Sequence, residues 1–296
     1  MPRPGSWDTV VEFLAARTGD PVGAAARVRA GEVVLDDGTV VAAGTPYRPG
    51  ASAYLHRDLP AETPVPFEVP VLHRDDNLVV VDKPHFLATT PRGGHVRETV
   101  VLRLRRRLGL PELSPVHRLD RLTAGVLVLS ARREVRGTYQ QLFAQREVTK
   151  TYLALAPVRP GLALPVTVRS RLVKERGVLQ AREVPGEANA ETLVELLDQK
   201  DGVGRYRLTP RTGRTHQLRV HLASLGIPII GDPLYPEVRT VAPDDFTDPL
   251  RLLALELSFT DPLSGEPRVF TSRRTLTPAG GPTGSAGQGE PAPLTP

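Results

Sequence analysis

The residues best suited to chemistry form two dense clusters. In the first, His117-Arg118-Leu119-Asp120-Arg121-Leu122-Thr123-Ala124-Gly125 runs into Val126-Leu127-Val128-Leu129-Ser130, so a lone carboxylate lies between two arginines at the mouth of an apolar run. That run is short, continuous and partly β-branched, which fits a strand covered on both faces. Ser114-Pro115 before it and Gly125 within it are turn residues, so Asp120 is expected on a constrained loop at the strand's N-terminal edge. A carboxylate held in this way can act as a nucleophile or a base. The same residues could instead make a structural ion pair of Asp120 with Arg118 or Arg121.

The second cluster is Thr212-Gly213-Arg214-Thr215-His216-Gln217-Leu218-Arg219-Val220-His221-Leu222. Thr215 can cap a helix in which Leu218, Leu222 and Leu225 recur at i, i+4 and i+7, and Gly226-Ile227-Pro228 stops it. His216 and Arg219 then share one face while the leucines turn to the core. A helix N-terminus beside Arg214 attracts anions such as phosphate. His216 and His221 diverge by roughly 140° around such a helix and make a poor chelating pair, so no metal is expected. Between the clusters, Lys150-Thr151-Tyr152-Leu153-Ala154-Leu155 reads as a strand that puts Tyr152 on the face opposite Leu153 and Leu155; an aromatic there is ordinarily core.

The elements around these clusters imply an α+β chain. Residues 8–60 read as a small unit, with one helix from Val10, a second over Ala24 to Ala30, and a hairpin across Asp36-Asp37-Gly38. Three prolines within Leu59 to Pro66 mark a linker, so residues 1–66 form the first region. The large domain, 67–275, starts with a hairpin of Val71–Arg74 and Leu78–Asp82. A helix from Glu98 to Leu108 buries Val101, Leu104 and Leu108, leaving Arg103, Arg105, Arg106 and Arg107 on its other sides as a solvated face or a phosphate track. A further helical stripe comprises Val135, Tyr139, Leu142 and Phe143, and strands are expected over 151–156, 191–197, 205–209, 252–259 and 268–271. This interleaving has no regular βαβ repeat, which predicts a mixed, mainly antiparallel sheet with flanking helices. Residues 276–296 lack large apolar side chains and are expected to be disordered.

Composition excludes several classes. With no cysteine there is no disulfide, thiolate nucleophile or cysteine-ligated metal. No Walker lysine loop or Gly-x-Ser-x-Gly elbow is present. A formal charge of +5 favours an anionic partner such as nucleic acid. The N-terminal residues lack a signal-peptide core and no apolar run could span a membrane, so a cytoplasmic protein without membrane contact is expected. A monomer that needs no cofactor is also expected.

Taken in order, His117-Arg118-Leu119-Asp120 with Thr123-Ala124-Gly125, then Lys150-Thr151-Tyr152, then Gly213 to Leu222 with Gly231-Asp232-Pro233-Leu234-Tyr235, resemble the RluA family of pseudouridine synthases. Asn77 to Pro84 looks like that family's opening strand, and residues 8–60 are similar to the small RNA-binding domain of some members. The resemblance covers about residues 68–275. It implies Asp120 as the catalytic aspartate, Tyr152 as the active-site tyrosine and Arg219 as the arginine paired with the aspartate. Arg118 matches the arginine that takes the place of the extruded base, and His117, Arg121, Arg214 and His216 are expected to bind RNA. Two departures bear on substrate fit: Ala124 stands where the family commonly has Ser, and Leu253 where it often has His.

The implied reaction isomerises uridine to pseudouridine in structured RNA, with ribosomal RNA expected and transfer RNA the alternative. The glycosidic bond is cleaved, the uracil rotated and rejoined through carbon 5. The carboxylate would attack the anomeric carbon or remove a neighbouring sugar proton, two routes that remain open. Tyr152 would stack on a flipped-out uracil and help take up the carbon 5 proton. A non-catalytic RNA-binding protein of the same fold is the rival from another class.

Overall fold

Thr9 starts the first helix, its hydroxyl accepting from the Glu12 N–H; this is α1, Val10–Thr18, which Gly19 closes in the left-handed conformation. Asp20 caps α2, Pro21–Arg29, three residues earlier than the apolar spacing alone suggested, because Asp20-Pro21 is itself a start signal. The turn across Asp36-Asp37-Gly38 forms, with the N–H groups of Leu35 and Val41 bonded to the carbonyls of Thr39 and Val33. The ladder of β1, Val33–Leu35, however, goes to β2, Ala53–Leu55, a partner far along the chain. Val10, Val28, Val33, Leu35 and Val41 make a small core of their own.

The computed structural model describes residues 1, 7–55, 62–92 and 94–278. The chain folds as two units, Met1–Ala61 and Glu62–Pro296. Residues 62–66, expected in the linker, belong to the second unit: the Glu62 carboxylate accepts the N–H groups of Val96, Arg97 and Glu98, and Val65 is buried. Apart from residues 276–278, the expected tail lies outside the described residues.

In the second unit β3, Val71–Arg74, and β4, Leu78–Lys83, form the expected hairpin. Then come α3, Val100–Leu108; β5, Ser114–Pro115; β6, Ala124–Ser130; α4, Arg133–Ala144; and β7, Thr149–Pro157. β8, Val166–Val173, and β9, Arg182–Val184, were missed in the sequence. The chain continues with β10, Ala190–Lys200; β11, Val203–Pro210; α5, Gln217–Ser224; β12, Leu252–Thr260; and β13, Pro267–Thr271. The sheet runs β3-β4-β6-β12-β7-β11-β10-β8-β9, with β5 beside β6 and β13 beside β12. Its pairs are antiparallel except β6 with β12. This is the α+β, mixed and mainly antiparallel fold.

Alternate residues of β4 and β6 enter two different cores. Val79, Val81, Leu127 and Leu129 pack with Leu104 of α3 and with Leu218 and Leu222 of α5. Leu78, Val80, Val126 and Val128 pack with Val135, Tyr139 and Leu142 of α4. Both strands are therefore covered on two faces, as their continuous apolar runs require. Gly125 makes the parallel pairing possible: its φ is 112°, and a Cβ there would lie 2.1 Å from the Ala254 carbonyl oxygen.

Of the four arginines of α3, Arg106 is exposed and the other three are tied to backbone carbonyls. Arg103 donates to the carbonyls of Val65 and Phe67, Arg105 to Leu113 and Arg107 to Val69, fastening α3 to the segments beside it.

Candidate active site

The Asp120 loop is held by its backbone from several sides. The Thr123 N–H donates to the Asp120 carbonyl at 3.1 Å, closing a turn. The Thr89 hydroxyl donates to the Leu119 carbonyl at 2.8 Å. Fully buried Lys83 spends its three protons on carbonyls, those of Pro84, Leu87 and Arg121. His85 Nδ1–H meets the Leu122 carbonyl at 2.6 Å. The Asp120 side chain, in contrast, accepts no hydrogen bond among the described residues. A carboxylate presented on a rigid backbone with its own oxygens uncommitted is suited to reacting rather than to bracing.

A guanidinium and an imidazole face it from α5 and its cap. Arg219 Nη1 lies 3.8 Å and His216 Nε2 3.9 Å from Asp120 Oδ2. The structural pairing with Arg118 or Arg121 does not form. Arg219 is not primarily the aspartate's partner either: its Nε and Nη2 donate to Asp232 at 2.7 and 2.6 Å, and both side chains are buried. Burial works against the Arg219 charge, but Asp232 and then Asp120 outweigh it and raise its pKa.

Helix α5 starts later than its sequence suggested. Thr215 is not the cap; His216 is, with φ 58° and no capping side-chain hydrogen bond. Gln217 braces the preceding loop instead of capping the helix. Its buried amide accepts from the Arg214 N–H and the Thr212 hydroxyl, and donates to the Glu191 carbonyl and to Thr192. That lock fixes the loop that carries Arg214 and His216. His221 is a structural residue between Thr192 and Ser170, its pKa pushed down to about 4 by burial.

These groups meet in a cleft of about 1130 Å³ lined by His117, Arg118, Asp120, Tyr152, Arg214, His216 and Arg219 among others. Arg92, Arg146, Lys150, Lys174 and Arg211 also line it, so among the described residues eight lysines and arginines surround one carboxylate, Asp120. Tyr152 comes from β7, half-buried, opposite Ala254 of β12 and Leu208 of β11. Burial raises its pKa, and Asp120 raises it further, so the phenol keeps its proton.

Two of the expected RNA-binding residues are placed otherwise. Arg121 does not line the cleft; it is half-buried, with Nη1 3.5 Å from the Phe86 carbonyl. His117 lines it but is built into the wall: Nε2 accepts from the Val128 N–H at 3.1 Å and the ring stacks on Phe143. Burial pushes its pKa down to about 3, so it is a neutral fixture and not a phosphate-binding cation. Arg118 and Arg214 are exposed, and Arg118 has no side-chain partner among the described residues. Asp232, Tyr235, Lys83 and His85 were not singled out from the sequence, although the first three lie in its recognisable motifs. Among the described residues no group of three metal-ligating side chains occurs, and no helix is long and apolar enough to cross a membrane.

Residues 77–224 match the family model described as RNA pseudouridylate synthase. The Escherichia coli K12 dual-specificity RNA pseudouridine synthase RluA is 34% identical over 209 residues, 68% of this chain and 90% of that one. The Xanthomonas campestris ribosomal large subunit pseudouridine synthase D is 32% identical over 272 residues, 81% of this chain and 77% of that one. Among solved structures, human RNA pseudouridylate synthase domain containing 4 superposes with a TM-score of 0.54 and 27% identity, covering 70% of this chain and 88% of that one.

Proposed function

Because the chain belongs to the RluA family of RNA pseudouridine synthases and is thus an isomerase acting on RNA, we propose that Asp120 is its reacting group and that large-subunit ribosomal RNA is its substrate. The observation that carries the first part is the cleft itself: among the described residues, one carboxylate, free of hydrogen bonds, amid eight lysine and arginine side chains. Such a field draws in a polyanion and leaves a single group able to act as nucleophile or base on the sugar.

In this reading the target uridine leaves its stack and enters between Asp120 and Tyr152, and exposed Arg118 fills the space vacated in the helix. Asp120 either attacks the anomeric carbon or takes a sugar proton. The bond from N1 to carbon 1′ breaks, the uracil turns while still confined, and carbon 5 bonds to carbon 1′ as Asp120 leaves it or returns the sugar proton; the carbon 5 hydrogen is lost as a proton and N1 gains one. Tyr152, protonated and half-buried, offers a ring to stack on and a hydroxyl near the carbon 5 proton. Arg214, Arg146, Lys150, Lys174 and Arg211 carry the phosphates.

The ribosomal assignment is supported by the Xanthomonas relative, whose name places it on the large ribosomal subunit. The test is loss of tritium from [5-³H]uridine in an unmodified transcript of the large ribosomal RNA, followed by mapping of the site. Release from transfer RNA alone would move the substrate to that class, and release from neither with a folded protein would sink the proposal.

A further inference from the structure

His216 caps α5 with φ 58°, a left-handed backbone that a residue with a side chain adopts only at a cost. The conformation gives α5 no side-chain cap. What it does is turn the imidazole into the cleft wall, with Nδ1 2.9 Å from the Tyr235 hydroxyl and Nε2 3.9 Å from Asp120 Oδ2. The Tyr235 hydroxyl is itself fixed, accepting from the Ala181 N–H at 2.7 Å and lying 2.8 Å from the Ala181 carbonyl. One short segment, Asp232 to Tyr235, thereby reaches both groups that face Asp120: Asp232 holds the guanidinium and Tyr235 the imidazole.

We propose that Tyr235 is a positioning residue for the isomerisation: its hydroxyl sets the His216 ring so that Nε2–H faces the Asp120 carboxylate. The inference rests on Asp120 being the reacting group. It also assigns the two carboxylate oxygens. His216 and Arg219 both approach Oδ2, which leaves Oδ1 for the substrate.

The protons balance in either charge state of the ring. In the neutral form the Tyr235 O–H turns from the Ala181 carbonyl to Nδ1, which accepts it, and Nε2 carries the hydrogen toward Asp120. In the cationic form Nδ1–H donates to the Tyr235 oxygen, whose own proton swings to the Ala181 carbonyl. A hydroxyl can serve both states where a backbone carbonyl or amide could serve only one. The charged and titratable groups facing the ring are Asp120 from the loop before β6, Arg219 on α5, Asp232 and Tyr235 from the segment after it, and Lys174 after β8. Burial lowers the ring's pKa against the pull of Asp120, so near neutral pH His216 is an uncharged donor. It can orient a carboxylate oxygen without adding a second full charge beside it.

The experiment combines histidine ¹⁵N NMR with kinetics on the large ribosomal RNA transcript. In the wild type His216 should be the Nε2–H tautomer, and in Asp120→Asn its pKa should fall. Tyr235→Phe should mix the tautomers, lower kcat by about tenfold with KM within about twofold, and shift the acidic limb of the kcat profile. His216→Gln, which keeps an N–H donor, should retain more activity than His216→Ala. An Nδ1–H tautomer in the wild type, or wild-type kcat and pH profile in Tyr235→Phe, would overturn the inference. If Tyr235→Phe does not fold, equal kcat and equal pH profiles for His216→Gln and His216→Ala overturn it instead. The NMR measurements need no turnover, so an inactive wild type would refute the reading of Asp120 while they still decide the placement of His216.

Discussion

Asp232 grips Arg219 through both oxygens, at 2.7 and 2.6 Å, across thirteen residues of sequence and with both side chains out of water. The pair fixes the plane of a guanidinium whose remaining nitrogen points at Asp120. Asp232 Oδ1 is also bonded to the N–H groups of Leu234 and Tyr235, so the carboxylate is anchored before it anchors anything else.

Removing one half of that pair leaves a buried charge without its partner. Asp232→Ala should cost about 3–5 kcal/mol of stability and lose most turnover, and Arg219→Ala should be similar. Urea unfolding of each variant checks this; a midpoint equal to that of the wild type would show the pair to be slack.

Asp120→Asn should behave in the opposite way. Asp120 accepts no hydrogen bond among the described residues, so the variant should fold with an unchanged melting temperature. It should bind RNA within a few fold of the wild type and lower tritium release by about a thousandfold or more. Retained turnover would remove Asp120 from the chemistry.

The cationic cleft predicts a steep dependence of RNA affinity on salt. Arg118→Ala and Arg214→Ala should each reduce the slope of log affinity against log salt by about 1 when a phosphate contact is lost. Arg121→Ala should leave the slope unchanged, because that side chain does not line the cleft. Filter binding over a range of salt concentrations separates the three.

Acid should destabilise the fold through its buried histidines. Burial pushes His85 and His117 to about 3 and His221 to about 4, all below the ordinary value of 6.5. The unfolded chain therefore binds more protons than the folded one between about pH 6.5 and 4. Stability present above pH 6.5 is lost as pH falls through that window, by up to about 1.4 kcal/mol per histidine per pH unit. Denaturant midpoints at pH 7 and 5 test the sign; equal values would mean the rings are not buried neutral.

Gly125→Ala should be among the most damaging single changes in β6. The added carbon would meet the Ala254 carbonyl at 2.1 Å on a backbone with φ 112°, so a loss of about 3 kcal/mol or more is expected. Thermal unfolding gives the answer directly.

The sequence made some of this legible and hid the rest for physical reasons. β6 and the loop before it could be read, because a continuous apolar run and a glycine leave few alternatives. The start of α5 could not, because Thr215 looks like a cap and nothing local says that Gln217 will satisfy the loop from inside. β8 carries a period-two signal in Val166, Val168, Ser170 and Leu172, but arginines on its other face and a flanking proline masked it. The tie from Asp232 to Arg219 has no local signature at all. A carboxylate in a turn declares its partner only when the chain is folded.

The order of strands has one more consequence, for the making of the protein. β6, which follows Asp120, and β7, which carries Tyr152, do not pair with each other; β12 lies between them. Asp120, Tyr152, His216, Arg219, Asp232 and Tyr235 all precede Leu252 in the chain, so each leaves the ribosome before the strand that aligns them. A nascent chain that has reached Tyr235 holds every charged side chain of the cleft and a gap at the centre of its sheet. Such late, long-range pairing is slow to form. The proposed capacity to modify RNA is thereby tied to the emergence of β12: a product interrupted before it would keep the cations of the cleft and lack the strand that aligns them.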